Sequence, residues 1–161
     1  MRQGQGSAGT KVLECIDPNN NKWRVRWNMK PIDGCRDVAY TEENFDHKPT
    51  EDEVRALITE WYNKQTEERI LSGMVWNEIS VWLSTENQMN FKAAYDLAVQ
   101  TQGSTLPVKF KLGERDGTAI YYTFNTMAEF TDFYTSCVKF IMDCINTGWK
   151  EKDSVDWALY S

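Results

Sequence analysis

The sequence predicts an α+β fold in which antiparallel hairpins pack against about three amphipathic helices, in ββα-like units. Three observations predict it. Apolar residues alternate with polar ones on either side of turn-forming residues, as hairpins require. Elsewhere apolar residues recur at three- and four-residue steps, as a helix with one buried face requires. Each helical run also opens with a hydroxyl residue and a Glu or Gln three positions on, a pairing that satisfies free helix-end amides. At 161 residues the chain suits a single α+β domain over 11–161, with 11–49 as a candidate N-terminal β subregion.

Residues 1–10 stand apart. They are rich in Gly and Gln, and Ala8 is the one apolar residue after Met1. Such an arm cannot bury enough apolar surface to offset the entropy of ordering. It is expected to be flexible, or to order inside an assembly by adding a strand to a neighbouring chain. Docking onto its own domain is the alternative.

The first hairpin covers 11–27. Lys11 to Ile16 is a short apolar run, and Asp17-Pro18-Asn19-Asn20-Asn21 is turn chemistry. Trp23, Val25 and Trp27 then alternate with Arg24 and Arg26, giving one buried and one cationic face. Cys35 to Tyr40 is a candidate third strand. Thr50 and Glu53 open a helix whose stripe is Val54, Leu57, Ile58 and Trp61, ending near Ile70.

A second hairpin follows, Met74–Trp76 and Ile79–Leu83, turning on Asn77-Glu78. Thr85 and Gln88 open a helix with Phe91, Ala94, Tyr95 and Ala98 on its core face. In the third hairpin Val108, Phe110 and Leu112 alternate with Lys109 and Lys111, and Ile120, Tyr122 and Phe124 alternate on the return. Thr126 and Glu129 open the last long helix. Phe130, Phe133, Tyr134, Cys137, Val138, Ile141, Cys144 and Ile145 form its stripe, and Gly148 is a plausible stop. Asp153 is placed to cap a short terminal helix carrying Trp157 and Tyr160. Phe130, Tyr134, Val138, Ile141 and Ile145 are expected to be mostly buried with the stripes of the two earlier helices.

Composition excludes some functions. The formal net charge is −6 and no run of Lys and Arg supplies a basic face, so nucleic-acid binding is not expected. No stretch approaches the ~20 apolar residues of a membrane-spanning helix, and the first residues lack the apolar core of a secretory signal. Cys15, Cys35, Cys137 and Cys144 form no short-spaced pair, and His47 is the single histidine. No metal or cofactor is expected, and the cysteines read as reduced, small apolar residues. His47 lies among Glu42, Glu43 and Asp46, but no nucleophile motif accompanies it, so no catalytic residue is assigned. Aromatic residues make up 13% of the chain, more than contact-poor loops need. Trp23, Trp27, Trp157 and Tyr160 are the candidate interface residues. Trp23 and Trp27 read either as a platform for a sugar or peptide or as core aromatics on a strand.

The run VWLSTENQMNFKAAYDLAVQ, with ERILSGMVWN before it and YYTFNTMAEFTDFYTSCVKFI after it, resembles a domain family of phage and prophage proteins of gut Bacteroidales. Members occur near tail and tail-fibre genes. The likeness covers roughly residues 50–160, is specific from Val81 to Leu97, and does not reach the Gly/Gln-rich start. It implies a virion-associated structural or assembly protein of the tail or its attachment sites. Such a protein is made in the host bacterial cytoplasm and acts on other virion proteins or as a homo-oligomer. It brings no catalytic residue with it. The alternatives are a host-directed phage protein, such as an inhibitor of bacterial defence, and a carbohydrate-binding module.

Overall fold

The computed structural model describes residues 1–161. The fold is mixed α+β, with antiparallel strands and three helices. The chain divides into two compact units: residues 1–61 with 154–161, and residues 62–153.

The first unit is built on a four-stranded antiparallel sheet in the order β1-β4-β3-β2. Its strands are β1 (Arg2–Ser7), β2 (Leu13–Asp17), β3 (Lys22–Pro31) and β4 (Asp37–Phe45). Val25 and Trp27 are buried, and Trp27 and Trp61 meet edge to face with ring centroids 6.1 Å apart. Trp61 lies on helix α1 (Glu51–Leu71). The reciprocal cap forms there as the sequence predicts. The Thr50 amide donates to Glu53 Oε2 at 2.8 Å, and the Glu53 amide donates to Thr50 Oγ1 at 3.3 Å. A 3₁₀ turn at Trp157–Tyr160 closes this unit, and the Tyr160 hydroxyl donates to the Arg26 carbonyl at 2.8 Å.

Residues 2–7 form an ordered strand within the chain. β1 pairs with β4 from Arg2–Glu42 to Ser7–Asp37, so order in this segment needs no second chain. The glycines make this order possible. A Cβ on Gly4 would lie 2.5 Å from Tyr40 Cε2, and one on Gly6 would lie 3.3 Å from Tyr40 Cε1. The Tyr40 ring therefore lies across bare backbone, and its hydroxyl donates to the Gln5 carbonyl at 3.1 Å. Ladder hydrogen bonds and one large ring from β4 replace the missing apolar side chains. Gly4→Val is expected to cost about 1–3 kcal/mol by overpacking. Amide exchange should then speed up in Arg2–Ser7. Unchanged exchange there would mean that Tyr40 does not hold the strand.

The second unit contains the end of α1, two hairpins and two further helices. The hairpins are β5 (Met74–Trp76) with β6 (Ile79–Val81), and β7 (Val108–Arg115) with β8 (Thr118–Phe124). Asn77 and Glu78 both take positive φ, 46° and 63°, as a two-residue hairpin turn demands. The Trp82 amide donates to the Leu112 carbonyl at 2.7 Å, which ties the first hairpin beside the second. Helices α2 (Thr85–Gln100) and α3 (Met127–Asp153) complete the unit. The α2 cap is Ser84, whose hydroxyl accepts from the Asn87 amide at 3.2 Å. Gln88 is not a capping partner of Thr85, because its amide group donates to the Leu83 carbonyl at 2.7 Å instead.

The core of this unit is aromatic. Phe91, Phe124, Phe130, Phe133 and Trp76 are buried together. Phe124 stacks on Phe130 with centroids 4.9 Å apart, and Trp76 and Phe133 meet edge to face at 5.1 Å. The Trp76 indole N–H donates to Asp132 Oδ2 at 2.9 Å, so the one polar atom of that ring is satisfied.

Helix α3 departs from its sequence reading in two ways. It does not stop at Gly148 but runs on to Asp153. Gly148 is buried where α3 meets α1: a Cβ there would lie 2.0 Å from Thr66 Oγ1. The glycine serves a close helix contact, not a helix end. Gly148→Leu is expected to destabilise by about 1–3 kcal/mol, since the added side chain meets packed atoms. Adding Thr66→Ala should recover part of that loss in chemical denaturation. Absence of recovery would place the strain elsewhere. Second, the buried stripe of α3 is Phe130, Phe133, Cys137, Cys144 and Gly148. Tyr134, Ile141 and Ile145 are half-buried, and Val138 is 41% exposed. Among the other predicted core positions, Val54, Ile58, Phe91 and Ala98 are buried, whereas Leu57, Trp61, Ala94 and Tyr95 are half-buried.

Candidate interaction surfaces

The four aromatics singled out from sequence separate into two groups. Trp27 and Tyr160 are 1% and 6% exposed. They pack inside the first unit, which removes them from the surface open to a partner. Trp23 and Trp157 are half-buried. The Trp23 N–H donates to Asn21 Oδ1 at 2.9 Å and Lys48 Nζ lies 5.5 Å from its ring centre. Arg55 lies over Trp157 at 4.6 Å. Each of these two rings is thus already covered on one side by a cation.

His47 is exposed and pairs with Glu53. Its Nε2 lies 2.9 Å from Glu53 Oε1, but Glu53 is the helix-capping carboxylate. Hydrogen bonds from the Thr50 amide and from His47 hold its carboxyl below the usual carboxylate range. Burial pushes the Cys137 thiol up to about 12, so it carries no thiolate at neutral pH. All four cysteines are unpaired. No group of three or more His, Cys, Asp or Glu side chains is placed to hold a metal ion. No helix is long and apolar enough to cross a membrane.

What the second unit does present is two organised surfaces. The first is the outer face of the hairpins. Alternation along β7 and β8 sends Phe110, Ile120, Tyr122 and Phe124 inward and Lys109, Lys111 and Tyr121 outward. Trp82, just past β6, joins them. Lys111 Nζ lies 4.9 Å from the Trp82 ring centre and Lys109 Nζ lies 4.9 Å from the Tyr121 ring centre. Tyr121 is 59% exposed and Val75 on β5 is 69% exposed. The result is a flat face of two rings and two ammonium groups. The lysine alternation was readable in the sequence. Tyr121 is the outward residue of the same alternation, and Trp82 becomes visible only once β6 is placed beside β7.

The second surface is a groove of about 270 Å³ between α2 and α3, lined chiefly by Leu83, Met89, Phe91, Tyr134, Val138 and Ile141. Met89 at its rim is 67% exposed. Lys92 also reaches the rim and pairs with Asp96 one turn on at 2.5 Å. Hydrogen bonding to Asp96 raises the Lys92 ammonium above its ordinary range. The groove's walls are mainly apolar, and Gln88, Lys92, Tyr134 and Cys137 are the lining residues that carry polar groups or a thiol.

Comparison with protein-family models, with curated proteins and with solved structures found no match.

Proposed function

We propose that this chain is a bacteriophage virion-associated structural or assembly protein, of the tail or its attachment sites, that works through protein–protein contacts and performs no catalysis. One observation carries the reading: exposed apolar and aromatic side chains are gathered on the second unit, at Trp82, Tyr121 and Val75 and at Met89 and Val138. Clustered aromatics and methionines suit recognition of another protein surface, because they bury large area with few rotors to immobilise. The resemblance of Val81–Leu97 to phage tail-associated proteins supplies the virion context. The partners are other virion proteins or further copies of the chain, with no role for nucleic acid.

The test is mass spectrometry of purified particles of the encoding phage, with capture of virion proteins on the immobilised chain. Presence in particles, and capture weakened by Trp82→Ala with the fold intact, is the expected result. Absence from particles together with no captured virion protein overturns the proposal. The rings of Trp82 and Tyr121 favour a carbohydrate-binding module as the second reading, since flat rings stack on sugar faces. Binding on a glycan array that is lost in Trp82→Ala would favour that reading instead.

A further inference from the structure

The outer strand of the second hairpin has an open edge, since β8 pairs with β7 alone. Sheets guard such edges with charge, proline, a bulge or short length. β8 has none of these. It is seven residues long, Thr118 to Phe124, with no charged residue and no proline. Its register with β7 shifts once, and the extra residue, Leu112, is on β7. The direction of the free backbone groups follows from the turn. Asp116 and Gly117 take φ of 51° and 75°, a two-residue turn that makes Arg115 and Thr118 a hydrogen-bonded pair. Alternation then commits the amides and carbonyls of Thr118, Ile120, Tyr122 and Phe124 to β7. Those of Ala119, Tyr121 and Thr123 turn to the open edge. The Thr123 carbonyl also accepts from Asn125 Nδ2 at 3.1 Å, which leaves it one lone pair.

A second copy of β8, laid antiparallel about Tyr121, covers this edge along its whole length. Ala119 comes opposite Thr123 of the other copy, and Tyr121 opposite Tyr121. These are the residues with free groups on both copies, so each pair exchanges both of its bonds. The inner and outer faces of the sheet continue across the seam. On the inner face Ile120 comes opposite Tyr122, a favourable aromatic and β-branched pair, once on each side of the axis. The neighbouring strand adds charge complementarity. On β7, Lys109 is the partner of Thr123, and Glu114 is the partner of Ala119. Each row across the seam therefore runs Lys109, Thr123, then Ala119 and Glu114 of the other copy. Opposite charges stand at its two ends, with Cα atoms about 14 Å apart at three strand spacings. Both charged residues are exposed, and Lys109 leans toward the seam, its Nζ 4.9 Å from the Tyr121 ring centre. The central row has Lys111 at both ends, but each Lys111 leans away, its Nζ 4.9 Å from the Trp82 ring centre. Self-complementarity of this kind is what a two-fold interface requires.

We propose that β8 is a homodimer edge, at which two copies of the chain join antiparallel about Tyr121. The proposal rests on the reading that the hairpin face makes protein contacts, and not on the virion context. Sedimentation equilibrium of the purified chain is expected to show a concentration-dependent dimer. Amide exchange at Ala119, Tyr121 and Thr123 should slow as the dimer forms. Ala119→Pro removes an N–H that β7 does not use, so the hairpin keeps its ladder. Tyr121→Lys sets like charges across the axis. Each should weaken the dimer by roughly tenfold or more, the scale of one backbone group left unpaired at a buried seam. Far-ultraviolet circular dichroism checks that each variant is folded.

A charge exchange reads the register. Lys109→Glu faces Glu114 of the other copy with a like charge and should weaken the dimer, and adding Glu114→Lys in the same chain should restore it. A monomer at all concentrations overturns the proposal. So does a dimer indifferent to Ala119→Pro and Tyr121→Lys, or one that the second exchange does not restore. Protection of the three amides only when another virion protein is added assigns the edge to that protein and overturns the dimer. A monomeric chain whose capture of virion proteins is still weakened by Trp82→Ala overturns the dimer alone and leaves the reading of the hairpin face standing.

Discussion

Phe130→Ala is expected to lower stability by about 3–5 kcal/mol, the cost of emptying a fully buried aromatic site. Phe130 is 0% exposed. Its ring stacks on Phe124 at 4.9 Å and meets Tyr95 and Phe110 at 5.5 and 6.2 Å. None of these neighbours can move into the space without leaving its own contacts, because Phe124 also packs on Phe133 at 4.8 Å. Urea denaturation of the two proteins measures the difference. Phe130→Leu should cost less, since it keeps most of the buried volume. A loss below about 1 kcal/mol for the alanine variant would mean that this cluster does not behave as a packed core.

Glu42→Ala should cost about 3 kcal/mol, the lower end of the range for removing one partner of a buried ion pair. The side chains of Glu42 and Arg26 are 6% and 7% exposed and lie 3.1 Å apart. Glu42 also receives Arg2 at 2.5 Å and Arg24 at 3.4 Å. Its removal leaves three cations facing one another, one of them out of water. The loss is not larger because Arg26 keeps the Lys11 carbonyl at 2.7 Å and Glu14 at 2.9 Å. Burial alone would lower the pKa of Arg26, but hydrogen bonds to Glu14 and Glu42 outweigh it and the net shift is upward. Glu42→Gln keeps an acceptor and should cost less. Equal loss in the two variants would show that shape matters here and not charge.

Local signals were legible and long-range ones were not. The pairing of Thr50 with Glu53 involves residues three apart, so the sequence contains the whole interaction. The Asn77-Glu78 turn is equally local. The Gly4–Tyr40 contact is not. Composition records two glycines without recording the ring that needs them absent of side chains. Gly148 was misread for the same reason, since Thr66 is remote in sequence. Val138 shows a different limit. A 3.6-residue period locates apolar residues on a helix, but α3 has two neighbouring stripes and the period does not say which one faces inward. Trp27 and Tyr160 are the mirror case. Aromatic character suits a binding surface and a core equally, and only the covering helix and the terminal turn decide between them. The lysine-and-ring face of the second hairpin pair could be half read from alternation along β7 and β8. Its fourth member, Trp82, depended on a neighbour supplied by the fold.

The division of the chain bears on the order in which it matures during synthesis. Residues 62–153 are one uninterrupted stretch, whereas the other unit draws on 1–61 and on 154–161. Every residue of the aromatic core is therefore synthesised before Tyr160. Until that hydroxyl reaches the Arg26 carbonyl, the earlier-made sheet lacks its last contact. The segment translated first is in this sense the last to be completed. Its closing residues act as a latch supplied from beyond the intervening 62–153 stretch.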